Sequence, residues 1–219
     1  MDGVIVDSEI WWDEVRSTFA AANGREWTAD DQAAVMGANS PGWARIMRER
    51  LGLDLPEATI ERAIVDGVAE RYRREGAPRI DGAIEAVRRI AADRPVALAS
   101  SSHAEVIGEA LAATGLRDVF SAVVSSDEVA TGKPAPDVYL EAARRLGVAP
   151  GACLVVEDSL NGVRAGKAAG MLVVLVPNRS VPPATGTSAL ADLVLDRLAD
   201  LDPDRIDPDR AGTAPGEET

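Results

Sequence analysis

The sequence predicts an α/β protein in which a parallel sheet carries helices on both faces and an all-helical bundle is inserted near the start. Three observations predict it. From Glu9 to about Arg74, apolar residues recur at helical spacing throughout. From Arg79 onward, short apolar runs such as Val96-Ala97-Leu98-Ala99 alternate with helical stretches, as strands buried on both faces do. A length of 219 residues suits one core with one insertion better than two full domains.

The elements follow in order. Trp11, Val15, Phe19 and Ala22 share one stripe of a helix that Gly24 ends. Thr28 with Asp31 forms a capping-box pattern for a short helix stopping near Gly37. Ser40 before Pro41 reads as an N-cap, with Gly52 as the stop after Leu51. Ile60, Ile64, Val68 and Tyr72 step by four along a helix that Pro56 opens. Beyond Arg79, a helix from Asp81 carries Ala83, Val87 and Ile90 into the Val96–Ala99 strand. A helix through Ile107 and Leu111 then runs to Gly115. Ala122–Val124, Leu154–Val156 and Leu172–Val176 are further strands, separated by helices at Asp137–Leu146 and about Asn161–Ala169. Leu193–Leu195 reads as an edge strand. The expected division is a core of residues 1–8 and 78–202, a helical cap of residues 9–77, and a disordered acidic tail of residues 203–219. One segment fits poorly: Met1–Ser8 has loop character, yet no strand precedes it to feed that loop.

Charge narrows the function. Lys and Arg total 23 against 36 Asp and Glu, a net charge of −13. Such a chain is a poor partner for nucleic acid or an anionic membrane surface. Asp192–Thr219 supplies −6 of that charge, so the body is mildly acidic and admits a small anionic substrate. No apolar run approaches the ~18 residues of a membrane helix. Met1-Asp2-Gly3 lacks the basic start of a signal peptide. The single Cys153 excludes an internal disulfide framework and a multi-cysteine zinc site. A cytoplasmic monomer is expected.

Ligands of open parallel sheets bind at the carboxyl ends of strands. There the sequence places Ser100-Ser101-Ser102-His103, Gly132-Lys133-Pro134 and Glu157-Asp158-Ser159. Each group has an ordinary structural use. The serines and acids can cap the next helix, and the lysine can be a solvated surface residue. Occurring together, in order, at successive strand ends, they read as a phosphate-plus-magnesium site. Carboxylate oxygens suit Mg²⁺, and hydroxyls with an ammonium suit phosphate oxygens.

These residues resemble the four motifs of the haloacid dehalogenase-like hydrolase superfamily, in its branch with a helical cap. MDGVIVDSE looks like the end of the first motif, LASSS like the second, GKPAPDVYLEAARRLG like the third and VVEDSLNGVRAGKAAGM like the fourth. Within the superfamily, the chain is similar to sugar-phosphate phosphatases and to β-phosphoglucomutase-like proteins. The resemblance implies a Rossmann-like core and hydrolysis of a small phosphate ester through an aspartyl-phosphate intermediate. It also implies that Asp2 is the general acid and base and binds Mg²⁺ through its carbonyl. Asp158 becomes a metal ligand, Glu157 a ligand or the support of one, and Ser100 and Lys133 the holders of the transferring phosphoryl group. The family's first motif is Asp-x-Asp-Gly, so its nucleophile would lie one residue before Met1. The expectation is a start at an internal methionine, or a phosphate-ligand binder without turnover.

The cap departs from the mutase pattern in two places. Trp12 stands where a catalytic histidine is expected, and Ser40 where Gly37-Ala38-Asn39-Ser40 should carry an arginine. Both departures favour hydrolysis over isomerisation. Glu9, Trp12, Asn39, Ser101 and Ser102 are the expected substrate contacts. His103 reads equally well as an exposed residue of a helix's first turn and stays outside the catalytic set.

Overall fold

A computed structural model describes residues 1–36 and 38–206. Four helices come first: α1 (Glu9–Ala22), α2 (Ala29–Val35), α3 (Ser40–Leu51) and α4 (Glu57–Glu75). The alternating part follows as α5 (Ala83–Asp93), β1 (Ala97–Ser100), α6 (Ala104–Thr114), β2 (Ala122–Ser125), α7 (Asp137–Leu146), β3 (Leu154–Glu157), α8 (Leu160–Ala168), β4 (Leu172–Leu175) and β5 (Leu193–Val194). Every strand pairing is parallel, and each strand turns alternate residues to opposite faces. Leu98, Val123, Val156 and Val174 join the core that extends into the four-helix group. Val124, Val155, Val173 and Leu175 join the core under α7 and α8.

Local chemistry sets the element ends. Thr28 and Asp31 form the reciprocal capping box that their spacing predicts. Gly52, Gly115 and Gly147 close α3, α6 and α7 in the left-handed conformation. The α3 cap differs from expectation. Asn39, not Ser40, receives the Gly42 N–H, because the Ser40 hydroxyl donates instead to Asp127 at 2.9 Å. The strand expected at Val96–Ala99 is shifted by one residue. In the stretch expected to be disordered, Pro203–Arg205 forms a turn, capped by Asp202 and tied by an Asp204–Arg94 ion pair of 2.6 Å. Residues 207–219, the rest of that stretch, lie outside the described residues, as does the expected helix stop at Gly37.

The sheet is split. β2 pairs with β1, and β3–β4–β5 form a second sheet, with no hydrogen-bonded strand joining β1 to β3 among the described residues. Between them lies a cavity of about 730 Å³, lined by Met1, Val4, Ile5, Ala97–Ala99 and Leu154–Val156. Its walls are the facing edges of β1 and β3 together with residues of α5 and α7, among them Val87, Ile90, Ala142 and Ala143.

Close packing of α8 on the sheet depends on Gly166. A β-carbon there would lie 2.7 Å from Val173 Cγ2 and 3.4 Å from Val155 Cβ. Gly166→Ala is expected to cost about 1–2 kcal/mol through overpacking, even after the gain in helix propensity. Gly108 in α6 has open space around it, so Gly108→Ala should instead stabilise by about 0.5–1 kcal/mol. Urea denaturation midpoints of the two variants, shifting in opposite directions, check the packing.

Candidate active site

The carboxyl ends of β1 and β3 meet the first turn of α1 around one cavity of about 120 Å³. Asp2, Glu9, Trp12, Ser100, Ser101, Ser102, Lys133, Glu157 and Asp158 all line it. Nine of the ten residues expected at the site are thus brought together. Asn39 is not among them: it caps α3 and packs against the Gly132 loop.

Each polar group has a defined support. Asp2 sits in the Met1–Val6 turn, where it receives hydroxyl hydrogen bonds from Ser8 and, at 2.8 Å, from Ser102. Ser100 is buried at the end of β1, and its hydroxyl accepts the Ser102 N–H at 3.1 Å. Lys133 reaches in from the loop after β2, donating to the Ala99 carbonyl at 3.3 Å and to Glu157 Oε1 at 2.5 Å. Its ammonium also lies 4.8 Å from the centre of the Tyr139 ring, a cation–π contact.

Glu157 has its acceptor capacity taken up by the protein. Oε1 receives Lys133 and the Tyr139 hydroxyl. Oε2 receives the Asp158 and Ser159 N–H groups and the Ser159 hydroxyl. Burial alone would push its carboxyl up, but Lys133 and these donors hold it well below the usual range. Asp158 is the opposite case. No donor reaches its side chain among the described residues, and burial together with the charge of Glu157 pushes its carboxyl up. Gly3 allows it to approach: at φ 72° a β-carbon on Gly3 would overlap the Asp158 carboxylate. Asp158 is therefore a carboxylate with free oxygens and a need for positive charge. That fits a hard cation held by Asp158 and the Asp2 segment.

The four-helix side of the cavity contains a residue that the sequence reading missed. Arg16, one turn after Trp12, is 5% exposed. Its guanidinium lies 5.2 Å from the centre of the Trp12 ring and 5.6 Å from that of Trp43. The expected α1 stripe was Trp11–Val15–Phe19. Val15 and Phe19 do pack half-buried on the core beside Trp11, which meets Tyr72 of α4, but the buried set also includes Trp12, Arg16 and Ala20, because the Trp12–Arg16 side faces the cleft. A spacing of four from Trp12 was the available signal.

Another titratable group lies where the four helices meet the sheet. Ligand atoms of Glu61, His103 and Asp127 fall within 4.8 Å of one another. His103 caps α6 by accepting the Glu105 N–H at 3.2 Å, and the Ser40 N–H and hydroxyl both go to Asp127. These residues join α3 and α4 to the loops after β1 and β2 and do not line the cavity.

The family model for haloacid dehalogenase-like hydrolases matches residues 1–170. The chain belongs to this family. Hexitol phosphatase B of Escherichia coli is 32% identical over 207 residues, covering 92% of this chain and 91% of that protein. The Arabidopsis thaliana bifunctional riboflavin kinase/FMN phosphatase is 50% identical over 108 residues. That match spans 49% of this chain and 28% of the much longer plant protein. Among solved structures of the haloacid dehalogenase-like fold, Rhodobacter sphaeroides CbbY in complex with xylulose-(1,5)bisphosphate aligns with a TM-score of 0.79. It is 25% identical, and the alignment covers 92% of this chain and 93% of that one.

Two stability effects follow from this site. Glu157→Gln weakens the buried partner of Lys133 and is expected to destabilise by about 3–5 kcal/mol, as loss of one side of a buried pair does; chemical denaturation measures it. Glu9, raised to about 7 by burial and then by the Asp2 charge, binds its proton more tightly in the folded state. Stability should therefore fall as pH rises from about 4.5 to about 7 and level off above, by at most about 3 kcal/mol. Denaturation across that range with metal chelated should show this slope in the parent and its loss in Glu9→Gln.

Proposed function

We propose that the protein is a Mg²⁺-dependent phosphatase of small phosphorylated metabolites, with sugar phosphates as its substrate class. Residues 1–8 and 78–202 form its catalytic core and 9–77 its cap. The observation that carries this reading is the convergence of Asp2, Ser100, Lys133 and Asp158 on one cavity at the carboxyl ends of two parallel strands. Asp158 and the Asp2 main-chain carbonyl would hold Mg²⁺. Bound there, the cation supplies positive charge beside the phosphoryl oxygens. Glu157, saturated by Lys133, Tyr139 and the start of α8, supports Asp158 and does not compete for the cation.

The residues divide the chemistry. Ser100 and Lys133 hold the phosphoryl oxygens and offset the charge of the transition state. The attacking carboxylate would be that of the first aspartate of the family's Asp-x-Asp-Gly motif, whose second aspartate is matched by Asp2. As that carboxylate bonds to phosphorus, the ester oxygen leaves and takes a proton from Asp2. Asp2 then removes a proton from water, which cleaves the aspartyl-phosphate to inorganic phosphate. The Ser8 and Ser102 hydroxyls keep the Asp2 carboxyl aimed during both transfers. A β-phosphoglucomutase-like isomerase is the alternative within this site. It finds less support because Trp12 fills the histidine position and Ser40 is committed to Asp127, away from the cavity.

The test uses the chain lengthened upstream by an apolar strand ending in Asp, assayed with Mg²⁺ on para-nitrophenyl phosphate and a panel of sugar phosphates. Release of inorganic phosphate is expected, abolished by chelation and reduced about 10³-fold or more in Asp158→Asn and Asp2→Asn. Absence of turnover on every ester overturns the enzyme reading, and saturable phosphate-ester binding would then identify a non-catalytic binder. Phosphate migration without release would identify an isomerase.

A further inference from the structure

Arg16 is a buried cation without a counter-charge. Of the five N–H donors of its guanidinium, Nη1 donates to Gln32 Oε1 at 3.0 Å, and Nε is buried with no partner. No carboxylate pairs with it among the described residues. Glu9 and Asp13 act on it only at longer range, and Asp13 is engaged by the Trp27 indole N–H at 2.9 Å. The Trp12 and Trp43 rings stabilise the positive charge and fix its plane, but they leave it unneutralised. Proteins rarely leave a charge buried in this condition unless something else completes it. Burial lowers its pKa only to about 10, so at neutral pH it stays protonated.

Its position shows what completes it. Arg16 lines the same cavity as Asp2, Ser100, Lys133 and Asp158, from the opposite wall, and is the sole cation on that wall among the described residues. A phosphate ester seated on the core residues directs its other end at the four-helix group. We propose that Arg16 binds an oxyanion, a carboxylate or a second phosphate, on the non-transferred end of the substrate. The enzyme therefore selects phosphate esters with two anionic ends over esters of neutral polyols. A hydroxyl would leave the charge uncompensated, whereas an oxyanion neutralises it, and a planar guanidinium can match it with two parallel hydrogen bonds. Because its plane is already held by two indole rings, little side-chain freedom is lost on binding. The inference rests on the phosphatase reading of the same cavity.

The test compares matched substrates on the same upstream-lengthened chain with Mg²⁺. One pair is a phosphorylated aldonic acid against the alditol phosphate of equal length; the other is a sugar bisphosphate against its monophosphate. The parent should favour the doubly anionic member of at least one pair, and which pair distinguishes carboxylate from phosphate. Arg16→Gln should lower kcat/KM for that member by about 30- to 100-fold, mainly through KM. On para-nitrophenyl phosphate, which has no distal anion, kcat should change less than about threefold. Arg16→Lys should recover part of the preference. Equal losses on all substrates, or a parent preference for neutral polyol phosphates, would overturn the inference. Calorimetric binding of the same ligands separates the two readings. Arg16-dependent binding of doubly anionic esters without turnover keeps this inference while the phosphatase reading fails.

Discussion

The contact between Lys133 and Glu157 is the constraint on which the rest of the site depends. Both side chains are nearly inaccessible, 9% and 6% exposed, and they meet at 2.5 Å. A buried pair of this kind contributes little net stability compared with apolar packing, and its value lies in the geometry it imposes. Glu157 gathers the loop after β2, the Tyr139 hydroxyl of α7 and Ser159, the N-cap of α8, onto the end of β3. Gly162 makes room, since a β-carbon there would overlap the Glu157 carboxylate. Once Glu157 is saturated, its neighbour Asp158 is left with free oxygens, and the two adjacent acids acquire different tasks.

A similar division of labour runs across the cavity. The core wall presents Asp2, Glu157 and Asp158 with one lysine, and the helical wall presents two indole rings, one arginine and Glu9. The walls are joined at a seam where Ser40 donates to Asp127 and where Arg62 and Arg73 of α4 pair with Glu105 of α6 at 2.9 and 3.8 Å. Exposed pairs of this type each add a fraction of a kcal/mol, so the apolar packing of α4 on α6 holds the seam and the charges set its register.

Much of this was legible in the sequence because it is local chemistry. The Thr28–Asp31 box, the Asp137–Leu146 helix and the glycine stops are encoded within a few residues of where they act. The motif residues at the strand ends were legible for a different reason: a parallel sheet fixes which end of each strand faces the ligand. Arg16 was missed because counting apolar residues assigns an arginine to solvent, and only the two tryptophan faces and the cleft explain its burial. The α3 cap moved from Ser40 to Asn39 because Asp127, 87 residues away in the chain, competes for the serine. The Glu61–His103–Asp127 group had no local signature, since its members come from three separate elements.

The gap between β1 and β3 carries a mechanical consequence. The two half-sheets share no ladder, so α7, which packs on β1 and β2 and touches α8, is an element that couples them. Force from the helical group, received at α6, therefore reaches β4 through the packing of α6 on β2, α7 on α8 and α8 on β4 rather than along a shared ladder.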